Sequence, residues 1–225
     1  MNRKNIIIGA SIIAGDFYNI EKLLMETKIA GVNYLHLDIM DGNFVPNITF
    51  GISILPVIKK TVDIPLDVHL MVNNPESYIN DIVDYVDILN FHIEAVKFPF
   101  RFIENIKDIS SKRGKNIKIG VAINPITDIN FLKYLKGYIN NVLIMSVDPG
   151  YYGQKFIENM IDKIRNVAEI VRDWGDVLIS IDGGINDKNI IQVINAGANY
   201  VILSSFLYKG EITENIEKLK RILLS

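Results

Sequence analysis

Short runs of aliphatic and β-branched residues alternate with longer segments whose apolar positions recur every three or four residues, and the alternation runs unbroken along the 225-residue chain. The apolar runs predict strands at residues 5–11, 34–39, 66–71, 88–92, 117–123, 141–147, 177–182 and 200–204. Between and after them, helical periodicity predicts helices at residues 20–30, 52–61, 75–85, 99–111, 128–135, 158–172, 188–196 and 213–224. Strands that are apolar throughout are covered on both faces, which means a parallel sheet with helices against it. Eight such units predict an α/β fold, a single-domain (β/α)8 TIM barrel spanning residues 1–225 as one catalytic domain; such barrels typically take about 250 residues. An open doubly wound sheet is the competing architecture. It would place a Gly-x-Gly-x-x-Gly phosphate fingerprint after the first strand, where this chain reads Gly9-Ala-Ser-Ile-Ile-Ala-Gly15.

Composition narrows the function classes. With 49% hydrophobic residues the chain can bury a large core. Its 24 basic and 26 acidic side chains leave a formal net charge of -2, so it carries no electrostatic footprint for nucleic acid or an anionic membrane. A small anion can still be held locally. The absence of cysteine removes disulfides, thiolate metal sites and thiol nucleophiles together, and fits a cytoplasmic protein. Met1-Asn-Arg-Lys followed by the apolar run 6–15 imitates a signal peptide, yet the run is short, β-branched, lacks an Ala-x-Ala site and meets Asp16 directly. A buried strand explains all four features. No apolar stretch approaches the roughly 20 residues of a membrane helix, so the expectation is a soluble protein.

The barrel reading sets a test, because catalytic groups in such barrels gather at the carboxyl ends of the strands. Polar residues fall there throughout: Ser11, then His36 and Asp38, His69, His92 and Glu94, Asn124, Asp148, Asp182, and Ser204 with Ser205. His36 and Asp38, two apart on one strand, share a face, and imidazole beside carboxylate is metal-ligand chemistry. A single core histidine is commonly satisfied by a backbone carbonyl. Here all three histidines of the chain sit at the same expected end, which argues against that explanation.

The stretches Ser11-Ile-Ile-Ala-Gly-Asp-Phe17, Leu35-His-Leu-Asp-Ile-Met-Asp-Gly-Asn-Phe-Val-Pro-Asn-Ile-Thr-Phe-Gly51, Asp67-Val-His-Leu-Met71, Phe91-His-Ile-Glu-Ala95, Gly120-Val-Ala-Ile-Asn-Pro125, Met145-Ser-Val-Asp-Pro-Gly150, Gly153-Gln-Lys-Phe156 and Asp182-Gly-Gly-Ile185 together resemble the ribulose-phosphate 3-epimerase family. The resemblance implies a metal-dependent epimerase of the pentose phosphate pathway that interconverts D-ribulose 5-phosphate and D-xylulose 5-phosphate. It implies one divalent metal held by His36, Asp38, His69 and Asp182, with Asp38 and Asp182 also serving as the two acid/base groups. Inverting C3 removes a proton from one face and returns one to the other through an enediolate, which calls for two bases and a positive charge between them. The histidine and carboxylate donors suit Zn²⁺, placed first, and accommodate Fe²⁺, Mn²⁺ or Co²⁺. By the same resemblance Ser11 and His69 contact the substrate, and Met40, Met71 and Met145 form an apolar shell. The loop from Asp148 to Gln154, with Gly150, Tyr151, Tyr152 and Gly153, is expected to be a mobile lid over the sugar phosphate. Gly183, Gly184 and the amides of Ser204 and Ser205, the latter opening a short helix, are expected to hold the phosphate. Relatives of this kind are dimers or hexamers, so a homo-oligomer with a small-molecule sugar-phosphate partner is expected.

Three positions depart from the family pattern. Tyr152 and Ser204 stand where glycines are usual, and Asn43 stands where a histidine is common. A Cβ at the first two positions crowds a phosphate oxygen, and Tyr152 is strained if its backbone takes positive φ. The alternatives are therefore a 3-epimerase of a ketohexose 6-phosphate such as D-allulose 6-phosphate, and a non-catalytic sugar-phosphate-binding barrel. The intact pair Asp38 and Asp182 weighs against the second. The orotidine-phosphate decarboxylase arrangement Asp-x-Lys-x-x-Asp is absent, since no lysine follows Asp38 at that spacing.

Overall fold

A computed structural model describes residues 6–224. Eight strands follow in order: β1 (Ile7–Ser11), β2 (Tyr34–Met40), β3 (Leu66–Met71), β4 (Ile88–His92), β5 (Lys118–Ile123), β6 (Asn141–Met145), β7 (Leu178–Asp182) and β8 (Tyr200–Leu203). They pair in parallel in chain order and close into a barrel, β1 joining β8 through registers such as Ile7 opposite Tyr200. β3 and β4 have the expected bounds, and the other strands differ from expectation by one or two residues at an end. Asn5, expected to open the first strand, lies outside the described residues.

The α-helices are α1 (Ile20–Ile29), α2 (Ile54–Thr61), α3 (Ile79–Ile82), α4 (Pro99–Lys112), α5 (Met160–Val171), α6 (Ile190–Asn195) and α7 (Ile212–Leu224). In α7, Ile212, Ile216, Leu219 and Leu223 recur at helical spacing and form its buried stripe, with Glu214 in the first turn and Arg221 in the last complementing the helix dipole. Two expected helices are corrected. Residues 130–135 wind as a 3₁₀ helix, and the segment from 75 splits into a 3₁₀ turn (Pro75–Tyr78) and the single turn of α3. Such short segments form few i to i+4 bonds after the cost of nucleation, so the tighter winding competes well.

Alternation along each strand divides the core. Leu35, Leu37 and Ile39 of β2 and Leu66, Val68 and Leu70 of β3 face outward into the apolar layer shared with the helices. Their neighbours His36, Asp38, Asp67 and His69 are buried as well, on the lumen side. The lumen itself is filled by Ile88, Ala122, Leu143, Met145, Tyr200 and Ile202. Beside these runs a polar chain: Tyr200 and Asn90 both donate to Asp67, Asn141 donates to Asn90, and Ser180 donates to Asn141. Every member is buried and hydrogen-bonded, which is the condition under which buried polar groups are tolerated. Among the described residues no helix is long and apolar enough to cross a membrane.

Candidate active site

The register between β2 and β3 sets Asp38 opposite His69 and His36 opposite Asp67. Across the barrel, β7 delivers Asp182 from its last position. One donor atom from each of His36, Asp38, His69 and Asp182 lies within 4.8 Å of the others, and all four residues are buried. All four expected ligands are thus brought together. Their donor set suits a divalent cation, and one atom marks its place. His36 Nε2 is buried without a hydrogen-bond partner, 3.3 Å from Asp38 Oδ1 and 3.9 Å from Asp182 Oδ2. A lone pair left unmet among carboxylate oxygens is what a metal site needs.

The two carboxylates are held differently. Asp38 Oδ1 faces His69 Nδ1 at 3.1 Å, while Oδ2 accepts from Ser11 Oγ at 2.6 Å. Burial alone would raise the Asp38 pKa, but in the cation-free cluster the charge of a protonated His36 and the close imidazole nitrogens of His36 and His69 more than offset it and hold the group well below the carboxylate range. For Asp182 burial and the neighbouring Asp38 charge act together and push it well above that range. Without a cation between them, the two carboxylates thus differ in how readily they ionise, Asp38 more and Asp182 less. Burial would lower His36, yet Asp67 and Asp38 raise it above its ordinary value, whereas burial dominates at His69 and lowers it.

Above this centre Ser11, Asp38, Asp182, Met40, Met71 and Met145 line one cleft together with Gly150, Tyr151, Tyr152, Gly153, Gly183, Gly184 and Ser204. Met40 and Met71 also pack with Val45 in a small apolar cluster at the mouth. The cleft continues into a second cavity bounded by Gly153, Gly184, Ser204, Ser205, Lys188 and Lys209. Gly183 and Gly184 take φ of 118° and 66°, and a Cβ there would meet Val147 Cγ2 at 2.6 Å and the Phe156 amide nitrogen at 2.4 Å. Only glycine fits both turns. Ser205 Oγ is buried without a partner. The expected helix after β8 is a single turn, in which the amides of Leu207 and Tyr208 both reach the Ser204 carbonyl.

The departures resolve locally. Among the described residues no non-glycine has positive φ, so Tyr152 is unstrained; Gly150 and Gly153 carry the positive angles of its loop. The loop is tied down, since Tyr151 Oη donates to the Pro46 carbonyl at 3.0 Å and Asn47 Nδ2 to the Gly150 carbonyl at 2.9 Å. Asn43 is exposed and folded back on Asp41 through its side-chain amide.

Several contributors escaped the sequence reading. Asp67 is fully buried and binds His36 Nδ1 at 2.9 Å. Its signal was available, because it precedes His69 by two residues and so must share the lumen face. Lys188 and Lys209 beside the second cavity have no such signal; each looks like an ordinary surface lysine. Of the polar positions expected at the strand ends, Asp148 is exposed, and only its backbone carbonyl engages the loop through Gln154.

Comparison with known proteins places this geometry. Solved structures of 3-hexulose-6-phosphate synthase and of phosphoribosyl anthranilate isomerase from Thermus thermophilus both superpose with a TM-score of 0.67, at 14% and 12% identity. Coverage of this chain is 96% and 97%, and of those chains 99% and 98%. They share the barrel. The ribulose-phosphate 3-epimerase of Methanocaldococcus jannaschii is 40% identical over 97% of this chain and 92% of its own length. That of Aquifex aeolicus is 39% identical over 97% of each chain. The model of the ribulose-phosphate 3-epimerase family matches residues 7–208. This chain belongs to that family and is an isomerase, an epimerase acting on carbohydrates.

Proposed function

We propose that the protein interconverts D-ribulose 5-phosphate and D-xylulose 5-phosphate by two-base proton transfer at C3. The observation that carries this reading is the buried His36, Asp38, His69 and Asp182 cluster, whose donor atoms lie within 4.8 Å of one another and whose two carboxylates arrive from different strands, β2 and β7. His36, Asp38, His69 and Asp182 would hold a divalent metal, which would supply positive charge where the enediolate develops. Asp38 takes the C3 proton on an oxygen, the C3–H electron pair moves into the C2–C3 bond, and the carbonyl oxygen becomes anionic. Asp182 then returns its own proton to the opposite face of C3, which inverts that carbon. Turnover leaves the proton on Asp38, and proton exchange restores the starting state. Ser11 fixes Asp38 Oδ2 for this work. Met40, Met71 and Met145 keep water from the carbanionic carbon. The phosphate is received by Gly183, Gly184, Ser204 and Ser205, with Lys188 and Lys209 lending positive charge.

The test is incubation of the metal-supplied enzyme with D-ribulose 5-phosphate in D₂O. Deuterium entering C3 as xylulose 5-phosphate forms is the expected result. Absence of exchange would sink the proposal. A parallel assay with D-allulose 6-phosphate reports the sugar preference, expected to favour the pentose.

A further inference from the structure

Beyond the four ligands, the site contains a third histidine whose role the reaction leaves open. His92 closes β4, is fully buried, and its ring stacks on His69 with centroids 4.9 Å apart. The two Nε2 atoms are 2.9 Å apart, so one must carry a hydrogen and the other a lone pair. On the far side His92 Nδ1 lies 3.1 Å from Glu94 Oε2. The other Glu94 oxygen is already committed, accepting from the Asn124 amide at 2.8 Å and from Thr127 Oγ1. A carboxylate so held can only accept from His92.

We propose that Glu94 and His92 are positioning residues that dictate the tautomer of His69, so that its Nδ1 lone pair is the one presented to the metal. Glu94 accepts the Nδ1 hydrogen of His92. His92 Nε2 is then a lone pair that accepts the Nε2 hydrogen of His69, and His69 Nδ1, the nitrogen facing Asp38, is left free. His36 is oriented the opposite way by a single step, because Asp67 binds its Nδ1 and leaves Nε2 unmet. The two histidine ligands thus use different ring nitrogens, each chosen by a carboxylate behind it.

The inference rests on the metal reading above, and the test separates the two. Glu94→Gln keeps the shape but reverses the relay. Its carbonyl continues to accept from Asn124 and Thr127, so its amide faces His92 Nδ1 as a donor. That turns His92 Nε2 into a donor and makes His69 carry its hydrogen on Nδ1. Glu94→Ala removes the dictation without reversing it. The measurements are Zn²⁺ affinity by chelator competition and long-range ¹H–¹⁵N correlation of histidine-labelled, Zn²⁺-loaded wild type, in which the three histidines give resolvable patterns. Expected are an Nδ1–H tautomer for His92, an Nε2–H tautomer for His69, and a loss of affinity of about 10–100-fold in Glu94→Gln that exceeds the loss in Glu94→Ala. Equal losses in the two variants, or an Nε2–H tautomer for His92 in wild type, overturn the relay while leaving the metal site standing. Wild type that binds no Zn²⁺ overturns both. The wild-type spectrum decides the matter even if neither variant folds.

Discussion

At the scale of single residues, position in the lumen decides what each side chain can do. Asp182 and Asp38 are the same residue type, yet burial beside a carboxylate raises the pKa of the first, and the imidazoles around the second lower its pKa despite burial. Asp182→Asn keeps the volume and the hydrogen-bonding capacity but cannot exchange a proton with carbon. Turnover should fall about 10²–10⁴-fold, read as xylulose 5-phosphate formation. Washout of label from C3 in the Asn variant, at a rate well above product formation, would further assign proton removal to Asp38 alone. The polar chain below the site obeys equally local rules. Gly120 faces Asn90 so closely that an added Cβ would lie 1.8 Å from its Oδ1. Gly120→Ala should therefore displace Asn90, weaken its bond to Asp67, and destabilise the fold by about 1–3 kcal/mol in urea unfolding.

At the scale of elements, the loops after the strands convert a rigid scaffold into a site. Glu94 and Lys163 clamp the turn after β5 from two sides, the lysine donating to the carbonyls of Asn124, Pro125 and Thr127. Burial alone would raise the Glu94 pKa, but hydrogen bonds from His92, Thr127 and the Asn124 amide bring it down from 4.5 to about 2. The unfolded chain therefore binds more protons in that window, so the contribution of Glu94 is complete above pH 4.5 and is lost as pH falls toward 2. Between about pH 5 and pH 3, wild type should lose about 1 kcal/mol more urea stability than Glu94→Gln, after allowance for solvent screening. The loop from Asp148 to Gln154 carries its own latch. Removing the Tyr151 hydroxyl in Tyr151→Phe breaks a bond worth about 1 kcal/mol and should raise KM for the sugar phosphate about fivefold with little change in fold. Strands and their polar ends were readable because apolar runs and two-residue alternation follow directly from burial. The short windings near residues 78 and 132 were not, since a helical period looks the same whether the turn closes over three residues or four. The loop latch and the Glu94 clamp join segments distant in the chain, and nothing in a linear pattern reports such pairings.

At the scale of the whole molecule, the closed barrel is what makes four side chains from three strands into one centre. Asp38 and His36 on β2 and His69 on β3 are neighbours in the sheet, but Asp182 on β7 reaches them only across the lumen, three strands away through β1 and β8. The parallel, in-order pairing was legible from eight apolar runs; the seam between β1 and β8 follows from closure and needs no pattern of its own. A cation held between β7 and the β2–β3 pair, as the proposed function requires, would brace the barrel across its width, because unfolding must pull these strands apart and release it. Binding that is confined to the folded state stabilises by mass action, about 2.7 kcal/mol at a hundred times Kd. For a domain of this size that corresponds to a rise in Tm of about 5–10 °C. Calorimetry of the enzyme with Zn²⁺ and with excess chelator should show this difference. Asp182→Asn offers only a neutral carbonyl oxygen across the lumen in place of a carboxylate, which weakens the cation's hold, so its Tm should respond to chelator less than that of wild type. An unchanged wild-type Tm on chelation would mean that no cation spans the barrel, and an Asn variant as responsive as wild type would place the bound ion away from β7.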